Sequence, residues 1–339
     1  MAHTDAWLAL HTEETLEPDL KICDPHHHLW HMHPGRFVEP DYLLPEIVRD
    51  VTSGHNIVST VFIECGSMYR ADGPEHMKCI GETEFVNGIA AMSATGKYGD
   101  CRISAGIIGT APLQEGDKIA GEVLDAQLLA GNGRFRGIRC GATHDASPDV
   151  PNARTNPPPN LYGDAGFRAG FKHLASRNLT FEGWCYHPQI PYLTDLAKVF
   201  PDTTIILDHF GGPLGLGPYA GKEDEVFEAW RKSVTALAEC PNVMAKLGGL
   251  VMEVNGHHWE DLPKPPTSQE LMERTRRYFE TTIGLFGVER CMFESNFPVD
   301  MIAGTYNTCW NAFKRLTADY SDAEKAALYH DTATRVYRI

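Results

Sequence analysis

From 57 to 65 (IVSTVFIEC) the chain is almost unbroken in apolar and β-branched residues, the mark of a strand buried on both faces. A polar loop follows. Helical spacing then sets in over 82–97, where Phe85, Ile89 and Met92 share one face. This alternation runs the length of the chain. It predicts strands at 22–24, 57–65, 102–108, 135–140, 179–186, 203–207, 243–247 and 290–293. Helices are predicted at 44–51, 82–97, 119–129, 167–176, 191–200, 223–239, 269–286, 311–316 and 322–329. Eight parallel strand–helix units predict an α/β fold, a (β/α)8 TIM barrel in one domain over 21–339, with 1–20 as a polar N-terminal tail. The alternative is a doubly wound open sheet. That fold would carry a glycine-rich phosphate turn after its first strand, where this chain has His26-His27-His28. Loops begin at Pro34-Gly35-Arg36 and, rich in proline and asparagine, at 145–160. The second is long enough to read as a functional loop or lid.

Active sites of such barrels are built at the C-terminal ends of the strands. The polar residues at those ends are His26 and His28, Glu64, Arg139, His187, Asp208 with His209, and Asn296. Residues two apart on a strand share a face, so His26 and His28 are expected together and His27 opposite. By the same rule Asp208 is expected to face away from His209. Of Arg136 and Arg139 only one can reach the barrel mouth, and Arg139 is nearer the C-terminal end. It would grip a substrate carboxylate in bidentate fashion, or pair with an acid such as Glu64.

Charge narrows the partners. A net charge of -15 excludes nucleic acid and anionic membrane as bulk electrostatic partners and leaves a small-molecule substrate. A homo-oligomer is compatible with the sequence. Residues 1–20 carry acids and no apolar run, which predicts no secretory signal, and no stretch is long enough to span a bilayer. The nine cysteines are scattered without a CxxC pair, as in a cytoplasmic protein with reduced thiols.

Four stretches resemble one family: Asp24-Pro25-His26-His27-His28-Leu29-Trp30, Tyr186-His187-Pro188, Leu207-Asp208-His209-Phe210-Gly211-Gly212-Pro213, and Phe293-Glu294-Ser295-Asn296-Phe297-Pro298-Val299-Asp300. On these the chain is identified as a member of the amidohydrolase superfamily, in the amidohydrolase-related branch that contains lactonases. The resemblance runs from Ile22 to about Arg338. It implies a hydrolase, most readily a lactonase opening a cyclic ester of a carboxylated small molecule. The alternative is a metal-dependent non-oxidative decarboxylase of an aromatic carboxylic acid. A ligand-binding barrel that has lost catalysis is a third reading.

The resemblance also assigns roles. His26, His28 and His187 would hold a metal or the substrate carbonyl, and His209 would orient water or shuttle a proton. From their places at the strand ends, Arg139, Glu64 and Asn296 would line the substrate site. The family carries aspartate at the eighth strand where this chain is read as Asn296, and asparagine is a neutral ligand that cannot act as a general base. The expectation is therefore one divalent ion such as zinc, weakly bound or absent, with Asp300 as the substitute base.

Overall fold

The computed structural model describes residues 5–31 and 41–339. The loop at Pro34-Gly35-Arg36 lies outside them. A short helix, α1 (Asp5–Leu8), precedes eight strands: β1 (Lys21–His27), β2 (Asn56–Ile63), β3 (Arg102–Gly109), β4 (Phe135–Arg139), β5 (Thr180–Gly183), β6 (Ile205–Leu207), β7 (Val243–Leu247) and β8 (Cys291–Phe293). All neighbouring strands are parallel and pair in sequence order. A bridge between His27 and Phe297 and the bond from His28 N–H to the Phe297 carbonyl join the first strand to the end of the last. The (β/α)8 barrel expected from the apolar runs is the fold observed.

Helices separate the strands: α2 (Leu44–Val51), α3 (Ile80–Ser93), α4 (Asp117–Ala130), α5 (Ala165–Phe171), α6 (His173–Ser176), α7 (Ile190–Val199), α8 (Glu223–Ala238), α9 (Ser268–Phe286), α10 (Tyr306–Leu316), α11 (Asp322–Ala326) and α12 (Thr332–Tyr337). The helix expected at 167–176 is two pieces, and the one expected at 322–329 gives way to a π-turn at Ala327–Asp331. The segment before β1 is tied to α10. Asn311 donates to Glu13 and to the Glu14 carbonyl, and the Lys314 ammonium to the Leu16 and Glu17 carbonyls. Among the described residues no helix is long and apolar enough to cross a membrane. None of the nine cysteines is paired.

The barrel interior is layered. Its lower part is apolar: Cys23, Val61, Ile63, Ile108, Ile206, Met244 and Met292 pack together, with Val336 and Tyr337 of α12 against them. Above this layer the interior turns ionic, with Glu182, Lys246, Asp208, Glu294 and Arg139 all buried. On the last three strands two steps carry the chain from one layer to the next, from Ile206 to Asp208, from Met244 to Lys246 and from Met292 to Glu294.

β1 reaches the ionic layer by a different route. Asp24 pairs with Thr60 and His27 with Phe62, so three steps on β1 match two on β2. The extra residue makes a bulge at Asp24-Pro25-His26, where the proline has no N–H to give to the ladder. Cys23 faces inward, and strict alternation would then turn Pro25 and His27 inward. The bulge turns His26 inward instead.

Candidate active site

His26 lies at the centre of the ionic layer, fully buried. Its Nδ1 is 2.7 Å from Glu294 Oε2 and 3.3 Å from Lys246 Nζ, and its Nε2 is 3.4 Å from Arg139 Nη1. The His209 ring is 4.5 Å from the His26 ring, and His209 Nδ1 donates to Glu294 Oε1 at 2.6 Å. One carboxylate thus faces two imidazoles. Burial first, then the Lys246 ammonium, holds the His26 pKa well below the ordinary histidine value, so the ring is neutral.

His209 reaches Glu294 because the chain leaves β6 at Leu207 and takes left-handed backbone at His209 (φ 50°) and Phe210 (φ 59°). This corrects the expectation that Asp208 faces away. Asp208, two steps past the inward Ile206, follows the alternation, the left-handed turn brings His209 inward as well, and Asp208 lies 3.5 Å from Lys246 Nζ and 3.7 Å from Arg139 Nη1. Burial acts to raise the Asp208 pKa, but Lys246, His209 and Arg139 bring it below the usual carboxylate range. Gly249 (φ 73°) lets the chain after β7 pass against His209, since a Cβ there would meet Nδ1 at 2.3 Å.

His28 stands beside His26, ring centroids 5.0 Å apart, and stacks on Trp30. Its Nδ1 is 2.8 Å from the Ile63 carbonyl. A carbonyl only accepts, so Nδ1 carries the hydrogen and Nε2 the lone pair. Burial keeps this ring neutral as well. His28 lines a cavity of about 640 Å³, together with Trp30, Glu64, Tyr69, Arg139, Arg154 and Trp184 among others. His27 points the other way. Its Nε2 is 2.9 Å from Thr60 Oγ1, and its ring meets Phe62 edge-on.

Arg139 is the arginine at the mouth. Its Nε donates to Glu64 Oε1 at 2.9 Å and its Nη2 to the Glu64 carbonyl. Arg154, from the loop after β4, pairs with the other oxygen of Glu64. The pairing with Glu64 considered from the sequence is therefore present, and a second arginine shares it. Arg136 sits at the start of its strand, bonded to the carbonyls of Gly133 and Phe135.

The side chains of His187, Asn296 and Asp300 bond to other partners, although the Asn296 N–H donates to the His26 carbonyl at 3.0 Å and Asp300 feels the charges of His209 and Glu294. His187 Nδ1 accepts the Leu214 N–H at 3.3 Å, and its ring packs edge-on to Tyr219. Burial lowers its pKa to about 4, so Nε2 carries the hydrogen of a neutral ring and offers no lone pair. Asn296 donates from Nδ2 to Asp300 Oδ1 at 2.7 Å. Asp300 Oδ2 accepts the Gly249 N–H at 3.1 Å. Asp300 lines an apolar pocket with Leu271, Phe279 and Cys309, and burial pushes its carboxyl up to about 7.

Among the described residues, the donors close enough to share one ion are His26, His209 and Glu294, whose ligand atoms all lie within 4.8 Å of one another. The set fits a divalent cation: two imidazoles and a carboxylate, with Glu294 Oε2 buried and without an aligned hydrogen bond. Glu294, Lys246, Glu182 and Arg154 were not singled out from the sequence. For the first three the available signal was a charged residue in or at the end of an apolar strand, as in VMAKL, FEG and CMFE, whereas Arg154 lies in a loop that carries no such signal.

The family model described as Amidohydrolase matches residues 109–339. The chain belongs to the amidohydrolase family. This amidohydrolase is 33% identical over 338 residues to the uncharacterized protein y4mH of Sinorhizobium fredii, covering 95% of the chain and 99% of the relative. It is 24% identical over 320 residues to an L-fucono-1,5-lactonase of Burkholderia ambifaria, covering 93% and 95%. A crystal structure of an amidohydrolase from Burkholderia multivorans with bound zinc shares the fold, with a TM-score of 0.71 at 21% identity over 94% of this chain and 99% of that one.

The register at β1 makes a prediction. His28→Ala is expected to lower turnover about 10²-fold with the fold intact. His27→Ala is expected to leave turnover within about three-fold and to cost about 1–3 kcal/mol of stability, from lost packing and the lost Thr60 bond. Turnover and thermal melting of both variants check this. Equal loss of turnover in the two would put His27 in the site and refute the bulge as drawn.

Proposed function

We propose that this amidohydrolase is a lactonase that opens a cyclic ester of a carboxylated small molecule. The observation that carries the reading is His28: a neutral imidazole with its lone pair on Nε2, on the wall of a cavity that two arginines also line. Water held there would give its proton to His28 Nε2 as it attacks the lactone carbonyl. The Arg139 guanidinium, fixed by Glu64, would donate to the oxygen on which charge develops. Opening of the ring then returns the proton to the alkoxide that leaves.

Charge at the cavity supports a carboxylated substrate. Arg139 and Arg154 both line the cavity, held to opposite oxygens of Glu64, with Asp208 3.7 Å from Arg139 on its inner side. Arg154 is half-exposed and within reach of a ligand. Glu75 and Glu115 also line the cavity but are exposed, where water screens them. Trp30, Tyr69 and Trp184 supply flat apolar surface for a ring. The lactonase name of a relative aligned over most of the chain agrees with this reading. A divalent ion held by His26, His209 and Glu294 would supply a Lewis acid next to Arg139.

The test is hydrolysis of a panel of lactones by the purified protein, carboxylated and neutral members side by side, before and after chelation. Preferential opening of the carboxylated members is the expected result. Carbon dioxide release from aromatic acids without lactone opening would refute it.

A further inference from the structure

Lys246 has no part in the proposed reaction, yet its charge is buried completely in the barrel. It stands at the centre of β7, fully buried, with Nζ 2.9 Å from Glu182 Oε2, 3.3 Å from His26 Nδ1, 3.5 Å from Asp208 Oδ1 and 3.9 Å from Glu294 Oε2. The Tyr337 ring, 5.6 Å from Nζ, closes the side toward α12, and the Tyr337 hydroxyl donates to Glu182. An ammonium surrounded in this way has no solvent to swing into. Its charge is a fixed feature of the ionic layer.

We propose that Lys246 weakens divalent-cation binding at His26, His209 and Glu294 by holding a positive charge against two of the three, an inference that rests on reading this trio as a cation site. A lysine that served only to neutralise Glu182 and Asp208 would need no contact with the trio. Here Nζ approaches a ring nitrogen of one member and a carboxylate oxygen of another. Repulsion between an ammonium and a divalent ion a few ångströms apart, inside a fully buried layer, is screened far less than at a surface. Arg139 at the other nitrogen of His26 adds to it. The same two cations supply positive charge beside the reaction centre whether or not an ion is bound.

The experiment is a zinc titration of the full-length protein against a competing chromophoric chelator. Lys246→Met alone would leave Glu182 facing an apolar side chain, so it is paired with Glu182→Gln, which keeps the acceptor for Tyr337. Lys246→Gln with Glu182→Gln serves if the first pair does not fold, as judged by circular dichroism. Glu182→Gln alone is the control. The double variant is expected to bind zinc at least about ten-fold more tightly than the wild type and than the control. Equal or weaker binding overturns the proposal and leaves Lys246 as a supporting counter-charge. Zinc binding that survives Glu294→Gln, or no binding by any variant, overturns the trio as the cation site, a failure distinct from that of Lys246.

Discussion

Glu294→Gln is expected to lower turnover at least about 10²-fold while the barrel stays folded. The two side chains have the same shape, so packing is preserved. What changes is the number of acceptors. Glu294 offers one oxygen to the His209 Nδ1–H at 2.6 Å and presents the other to His26 Nδ1 at 2.7 Å. A glutamine has one acceptor oxygen and a donor NH2. Either His209 loses the partner that fixes its tautomer, or His26 faces the NH2. Both rings lie within about 5 Å of another histidine of the group, so a turn of one displaces the next. The check is kcat and KM on a lactone that the wild type opens, with melting measured alongside. Wild-type turnover in this variant would show that Glu294 does not hold the histidines in their working positions.

Asp24→Ala is expected to cost about 3–5 kcal/mol of folding stability, the largest effect anticipated outside the site. Asp24 sits on the outer side of β1. Its carboxylate accepts from Ser295 N–H at 3.0 Å, Ser295 Oγ at 2.6 Å, Tyr306 hydroxyl at 2.9 Å and His26 N–H at 3.3 Å. These bonds tie β1 to the end of β8 and to α10, where the barrel closes. Alanine takes the acceptor from the buried Tyr306 hydroxyl and from the N–H groups of Ser295 and His26, while the Ser295 hydroxyl keeps the His26 carbonyl at 3.2 Å.

The Asp24 carboxyl also links stability to pH. Burial outweighs its hydrogen bonds and pushes it up to about 6. A raised acid pKa means that the folded state holds the proton more tightly than the unfolded state. The contribution of this group is then largest below the unfolded value near 4, and falls as pH rises through 6. The stability gap between the wild type and Asp24→Asn is expected to narrow from pH 4.5 to 7.5. Thermal melting of both proteins across that range reads it, and a widening gap would contradict the assignment.

Much of this molecule is legible in its apolar pattern. Eight apolar runs separated by helical spacing led to the barrel, because strands covered on both faces cannot alternate polar and apolar residues. The period of two along a strand put His26 with His28 and turned His27 away, and the position of Arg139 within FRGIR placed it at the mouth. Those are local properties of the backbone, and local sequence carries them.

Direction relative to the barrel axis was decided elsewhere. One extra residue at Asp24-Pro25-His26 sets which side of β1 the paired histidines occupy, and it shows only against the register of β2. The left-handed turn at His209 brings Asp208 and His209 into the same space, where alternation had separated them. At the eighth strand the acid among the histidines is Glu294, because Met292 already faces inward and two steps further on lies Glu294, with Asn296 turned to Asp300 instead. Which residues reach the axis depends on where each strand starts, bulges and ends against its neighbours. Those offsets are set by packing between strands far apart in the chain, and no stretch read alone contains them.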